Sequence, residues 1–393
     1  MIKRERIPEL DVYRAMAIMA VIMIHATSQT IVETQGSSLF HPFLLLNIFS
    51  KFAVQVFIFL SGFVLFYNYI DKPFGWKTAG AFYKKRLLYI IVPYVIFSAL
   101  YYVMKLYFND QLNTPFPELA SRFWTKLWQG NAHTHLYYLI IMIQLYVIFP
   151  LFLAIFKKLR QWIPSRAGAG WVVFLLGLVL QWGFILINKY EWQVPAKGSL
   201  AITYMSFFLT GGVIAVYYGR FKEWLIVSVK GMKSPKLAVW LILWAAWLGA
   251  GLLHVELWYN TYVNKLRINS LWYEVIGNLH WLLSSLVLFQ LSFILYRHVG
   301  SFLSRFLTWM GACSFGIYLL HPAVLFFYRD YVPAGGTTLH YAAVIAGGWL
   351  LALFVSWLVV TLLARVKGIW VLFGTMPPFP AKRTSKPSRS VSM

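Results

Sequence analysis

Residues 10–29 read LDVYRAMAIMAVIMIHATSQ, and nothing polar separates Arg14 from His25. An apolar segment of about 20 residues is long enough to cross the hydrocarbon core of a bilayer as a helix. With no water available there, the backbone must bond to itself, which a helix does. Lys3, Arg4 and Arg6 precede this segment as they would in a signal peptide. A cleaved signal core has no use for an arginine and a histidine, so the segment is read as retained. Working outward in the same way gives ten candidate spans, near 11–30, 43–69, 88–108, 135–156, 169–188, 199–219, 237–255, 273–296, 307–329 and 340–364.

Composition supports that reading. Hydrophobic residues make up 60% of the 393 and charged residues 12%, against about 45–50% and 25% in soluble domains. Such a chain cannot cover a water-facing surface, which excludes two or three soluble domains. The expected fold is all-α, a polytopic membrane bundle of about ten transmembrane helices. Residues 1–375 are expected to form one transmembrane domain, and the Pro-, Ser- and base-rich stretch 376–393 a disordered basic tail near anionic lipid.

The net charge of +23 comes in short clusters between apolar runs, so it points to membrane lipids and topology and not to nucleic acid. With the N-terminus inside, segments 3–6, 72–86, 157–166, 220–236, 297–305 and 365–389 carry 25 of the 35 Lys and Arg. The positive-inside rule then places both termini in the cytoplasm. One cysteine, Cys313, excludes an intrachain disulfide and a cysteine-based zinc site, and no metal is expected.

A charge inside a membrane helix costs at least about 2.5–3.5 kcal/mol, so each needs a reason. Arg14 and His25 are eleven residues apart, about 1100° of helix, so they share a face about 16 Å apart. Asp11, three residues before Arg14, is within reach of it, and Ser28 continues the stripe. The plainer account makes Asp11–Arg14 an interfacial anchor and His25 a satisfied core residue. In the ninth span Ser314, Tyr318 and His321 also share a face, and Pro322 is expected to bend the helix there. His25 and His321 fall at matched depth, about 20 Å from the cytoplasmic start, so both face one cavity if their helices adjoin. His133 and His135 fall at the outer boundary, where an interfacial role is the stronger reading. Lys84, Lys85 and Arg86 form a cationic site suited to phosphate, although plain positive-inside charge is the stronger account of the lysines, and Arg86, nearest the apolar run, is the better candidate. Ser61-Gly62 reads as a packing contact.

Together these motifs resemble the acyltransferase-3 family of integral-membrane acyltransferases. The resemblance rests on Arg14 with His25, FIFLSGF at 57–63, KKRLLYIIVPY at 84–94, HLYYL at 135–139 and SFGIYLLHP at 314–322, in the family's order. The opening is similar to the branch that O-acetylates bacterial surface polysaccharides. The resemblance implies a membrane O-acyltransferase with acyl-CoA, expected to be acetyl-CoA, as co-substrate. The acceptor would be a hydroxyl of an envelope glycan or lipid-linked saccharide. Under it His25 is the base, with His321 and Tyr318 orienting the acceptor or stabilising an oxyanion. Arg14, Arg86, Lys84 and Lys85 hold the donor's phosphates. Asp11 and Ser314 give structural support, and His135 and Tyr138 lie on the acceptor side. Direct transfer and an acyl-histidine relay both remain open, and no carboxylate on its own helix orients His25. The competing class is a transporter or flippase of a lipid-linked saccharide, with the polar stripe lining its passage.

Overall fold

A computed structural model of the chain describes residues 5–163, 165, 167–225, 235–333, 335 and 337–375, and among them all regular structure is helical. The expected tail at 376–393 lies outside the described residues. Helix α1 (Glu9–Glu33) is followed by α2 (Phe40–Ser50), which runs into α3 (Ala53–Tyr69) as one span. Next come α4 (Trp76–Phe108), α5 (Phe116–Gln129), α6 (Tyr137–Trp162) and α7 (Gly168–Ile187), the last lengthened by a π-helical turn to Trp192. The chain continues through α8 (Met205–Val216), α9 (Tyr218–Leu225), α10 (Pro235–Tyr262) and α11 (Ser270–His298), then α12 (Ser301–Ala312) and α13 (Ser314–Tyr331). It closes with α14 (Thr338–Leu363) and the short α15 (Trp370–Phe373).

Among the described residues eight helices are long and apolar enough to cross a membrane, or up to ten if each of two bent pairs counts as one span. This is a multi-pass membrane protein. Its outward faces are apolar: Leu175 and Val179 on α7, Leu241 and Ile242 on α10, and Leu358 and Leu362 on α14 are exposed. A soluble monomer does not present patches of that extent, whereas lipid covers them without cost.

Two spans differ from the sequence reading. The sixth is bent by 93° between its main part and α9, and the ninth by 77° between α12 and α13. The sequence places a bend at Pro322, where α13 continues without a break through to Tyr331. Proline removes one backbone donor from the helix, but the segment is fastened from the side. The Tyr101 hydroxyl donates to the Leu319 carbonyl at 2.5 Å, and His321 Nδ1 sits 3.1 Å from the Ile317 carbonyl. The break falls instead at Cys313, where α12 is pressed against α1: a Cβ on Gly311 would lie 1.6 Å from the Asp11 carbonyl oxygen.

In lipid, helices associate by close contact and hydrogen bonds, because the tails are as apolar as the side chains. Helices α3 and α8 meet in this way, with Gly62 backed by the Phe208 carbonyl and Gly211 by the Phe59 carbonyl, each 2.0 Å from where a Cβ would stand. Phe289 of α11 fills the centre against Tyr13, Phe59 and Phe63. Helix α5 stands apart. It buries no residue and exposes Phe116, Trp124 and Trp128, the pattern of a helix lying along a membrane interface.

Candidate active site between two cavities

Helix α1 supplies both ends of the site. At its start Asp11 is buried and holds Arg14 at 2.5 Å and Arg6 at 2.8 Å. Three turns on, His25 meets the ring of His321 at 5.2 Å between centroids, as their matched depth requires, and the ring of His135 at 6.5 Å. His135 lies 5.6 Å from His321 and 5.0 Å from His133, so four imidazoles form one cluster. The interfacial role favoured for His135 is therefore corrected. His135 is buried because the turn before α6 folds inward, where the Tyr318 hydroxyl donates to the His135 carbonyl. His133 stays half-buried, its Nδ1 2.9 Å from that of His135. Burial first, then the charges of Lys105 and His25, hold His133 down at about 4, so its ring is neutral near pH 7.

The chemistry of His321 follows from its hydrogen bond. A carbonyl only accepts, so Nδ1 carries the proton toward Ile317 and Nε2 presents a lone pair. That Nε2 is buried without a partner, as is Nε2 of His135. A buried polar atom left unpaired costs about 1–3 kcal/mol, and two in one cluster mark a place prepared for polar atoms that a substrate would bring.

Cavities flank the cluster on both sides. One, of about 210 Å³, is lined by Arg14, Lys85, Arg86, Ser314, Tyr138 and Tyr318, among others. Arg86 also faces the Tyr146 ring at 5.8 Å. The other, of about 700 Å³, is lined by His25, Ser28, Lys105, His133, Arg329 and Asp330, with apolar neighbours. Between them stand the Tyr138–Tyr318 pair, 5.4 Å apart, and the buried His135 and His321.

Of the residues singled out from sequence, Arg14, Lys85, Arg86, Ser314, Tyr318 and Tyr138 share the first cavity. His25 lines the second, and His321 and His135 lie between the two. Lys84 is corrected: it is exposed and does not line the cavity, because one residue along a helix turns a side chain by about 100°. Ser61-Gly62 divides its roles, with the serine lining the cavity and the glycine packing on α8. Among the described residues no carboxylate hydrogen-bonds the His25 ring, and no group of three or more His, Cys, Asp or Glu is placed to hold a metal ion.

Several participants were missed. The Tyr101 ring lies tilted against that of His133, 4.5 Å between centroids, and sequence offered no signal beyond one tyrosine among many. Arg329 donates to the His25 carbonyl and to Ser28 Oγ. Its charge is visible in the sequence, as is that of Lys105, but no spacing along the chain ties either to His25. A second buried pair, His254 and His280, with Nδ1 atoms 3.3 Å apart, lies in neither cavity. Lys51, at the junction of α2 and α3, sits over the Trp258 ring at 4.9 Å.

Comparison with known proteins adds one finding. The family model of the acyltransferase domain, Acyl_transf_3, matches residues 7–363. No curated protein matches the chain, and no solved structure does. A match over nearly the whole helical bundle makes this multi-pass membrane protein an O-acyltransferase in the general sense, and the chain belongs to the acyltransferase-3 family.

Proposed function

We propose that the protein moves an acyl group, expected to be acetyl, from acyl-CoA to a hydroxyl of an envelope glycan or lipid-linked saccharide. It would act in the cell membrane with both termini cytoplasmic. The observation that carries this reading is that two cavities lie on either side of one tyrosine–histidine wall, the first with a cationic lining and the second lined by His25. Arg14, Lys85 and Arg86 suit the phosphates of a CoA donor. The first cavity is smaller than the usual 300–1,000 Å³ of a drug-sized site, so it suits the thin pantetheine arm and a short acyl group, with the nucleotide left at the rim.

In the reaction, the neutral His25 imidazole takes the acceptor's hydroxyl proton as that oxygen attacks the thioester carbonyl. The carbon–sulfur bond breaks, and the departing thiolate takes the proton back from the imidazolium. The bare Nε2 of His321 would accept from the acceptor and orient it. Tyr138 lines the donor-side cavity and would supply a hydroxyl to the developing oxyanion, while Tyr318, whose hydroxyl donates to the His135 carbonyl, holds the wall beside it. An acyl-histidine relay uses the same groups in two steps.

The two broken spans favour a second reading, a transporter or flippase of a lipid-linked saccharide, since such proteins use discontinuous helices. One assay separates them. Purified protein given labelled acetyl-CoA and glycan is expected to release CoA and form an ester, and His25→Ala to lower the rate about 10²–10⁴-fold. Saccharide movement without CoA release would select the transporter, and full activity in His25→Ala would remove His25 from the chemistry.

A further inference from the structure

Resting on the acyl-transfer reading, we infer that the acceptor carries an anionic group, a carboxylate or a phosphate, beside the hydroxyl that is acylated, and that Lys105 binds it. Lys105 lines the cavity that contains His25 and is half-buried there. Among the described residues no carboxylate forms an ion pair with it. Its charged neighbour is instead Lys126 of α5, which repels it.

Of the residues that line this cavity, the other cation already has partners. Arg329 is engaged with the His25 carbonyl and Ser28 Oγ and has Glu33, at the end of α1, within electrostatic reach. Glu33 in turn accepts from Gln29 at 2.8 Å. Asp330 is exposed at the rim. Lysine at a helix end ordinarily extends to the interface and hydrates there. Here it lines one cavity with His25 and His133 and has a second lysine, Lys126, as its charged neighbour, an arrangement that a bound anion would stabilise. Because His25 and Lys105 share one cavity, an acceptor held by its anion at Lys105 presents the rest of its ring to the imidazole. Neutral sugars would lack that anchor.

The test uses the full chain in lipid nanodiscs with labelled acetyl-CoA and three acceptors: methyl glucoside, methyl glucuronide and glucose 1-phosphate. A charge-assisted hydrogen bond contributes about 1.5–3 kcal/mol, so kcat/KM for an anionic acceptor is expected to exceed that for the glucoside by about tenfold or more. Comparing the glucuronide with the phosphate assigns the anion as carboxylate or phosphate. Lys105→Met should remove the preference through KM, and Lys105→Arg should retain it, which separates lost charge from misfolding. Equal use of all three acceptors by the wild type, or a preference surviving in Lys105→Met, would overturn the inference while leaving acyl transfer standing. Absence of transfer to any of the three would overturn the parent reading, and this one with it.

Discussion

At the scale of the residue, the cluster depends on imidazoles that stay neutral. His133 precedes α6, and burial together with Lys105 and His25 holds it down at about 4 against an ordinary value near 6.5. The unfolded chain therefore takes up this proton at higher pH than the folded one, and stability falls as pH drops below about 6.5 and levels near 4. Thermal unfolding in detergent is expected to show that decline, and His133→Asn to remove part of it; a His133→Asn variant with the wild-type pH profile would show that the ring is not held neutral. His321 illustrates a different limit of sequence reading. Its place on one face with Ser314 and Tyr318 follows from helical periodicity. Its tautomer follows only from the carbonyl of Ile317 at 3.1 Å, a contact that no spacing rule supplies for a ring next to proline.

At the scale of the element, the bundle is held by backbone against backbone. Gly211 faces the Phe59 carbonyl and Gly62 the Phe208 carbonyl, and neither neighbour is a side chain that can swing away. Inserting atoms into a close-packed contact costs about 1–3 kcal/mol even where side chains can adjust, so Gly211→Val should exceed that range. The expected outcome is loss of monodisperse protein in gel filtration, whereas Gly183→Val, which meets nothing, leaves the profile unchanged. A Gly211→Val protein as stable as the wild type would show that α3 and α8 are not locked together. The SG pair of α3 was legible as a packing signal, but its partner on α8 was not. The 77° break of the ninth span between α12 and α13, where Gly311 presses on α1, had no such signal in the sequence.

At the scale of the whole molecule, the proposed division of labour requires the cationic cavity to open to the cytoplasm. The asymmetry of bases between alternate loops predicts that orientation. In an otherwise cysteine-free background, Ala120→Cys on α5 should react with an impermeant thiol reagent from outside the cell. Arg160→Cys, near the end of α6, should react only after the membrane is opened. The reverse pattern would put the phosphate-binding residues on the side without CoA and end the proposed reaction.

The apolar runs and the all-helical, multi-pass architecture were legible in sequence alone, because the bilayer imposes length and polarity on each segment independently of its neighbours. The pairing of Arg14 with His25 on one helical face belongs with them, since helical periodicity is local. Which helices adjoin was decided only in three dimensions. The burial of His135, the recruitment of Tyr101, Lys105 and Arg329, and the wall of tyrosine and histidine between two cavities all arise from contacts between residues distant in the chain. Such contacts depend on shape complementarity across helices, and a pattern read along one strand of sequence does not contain it.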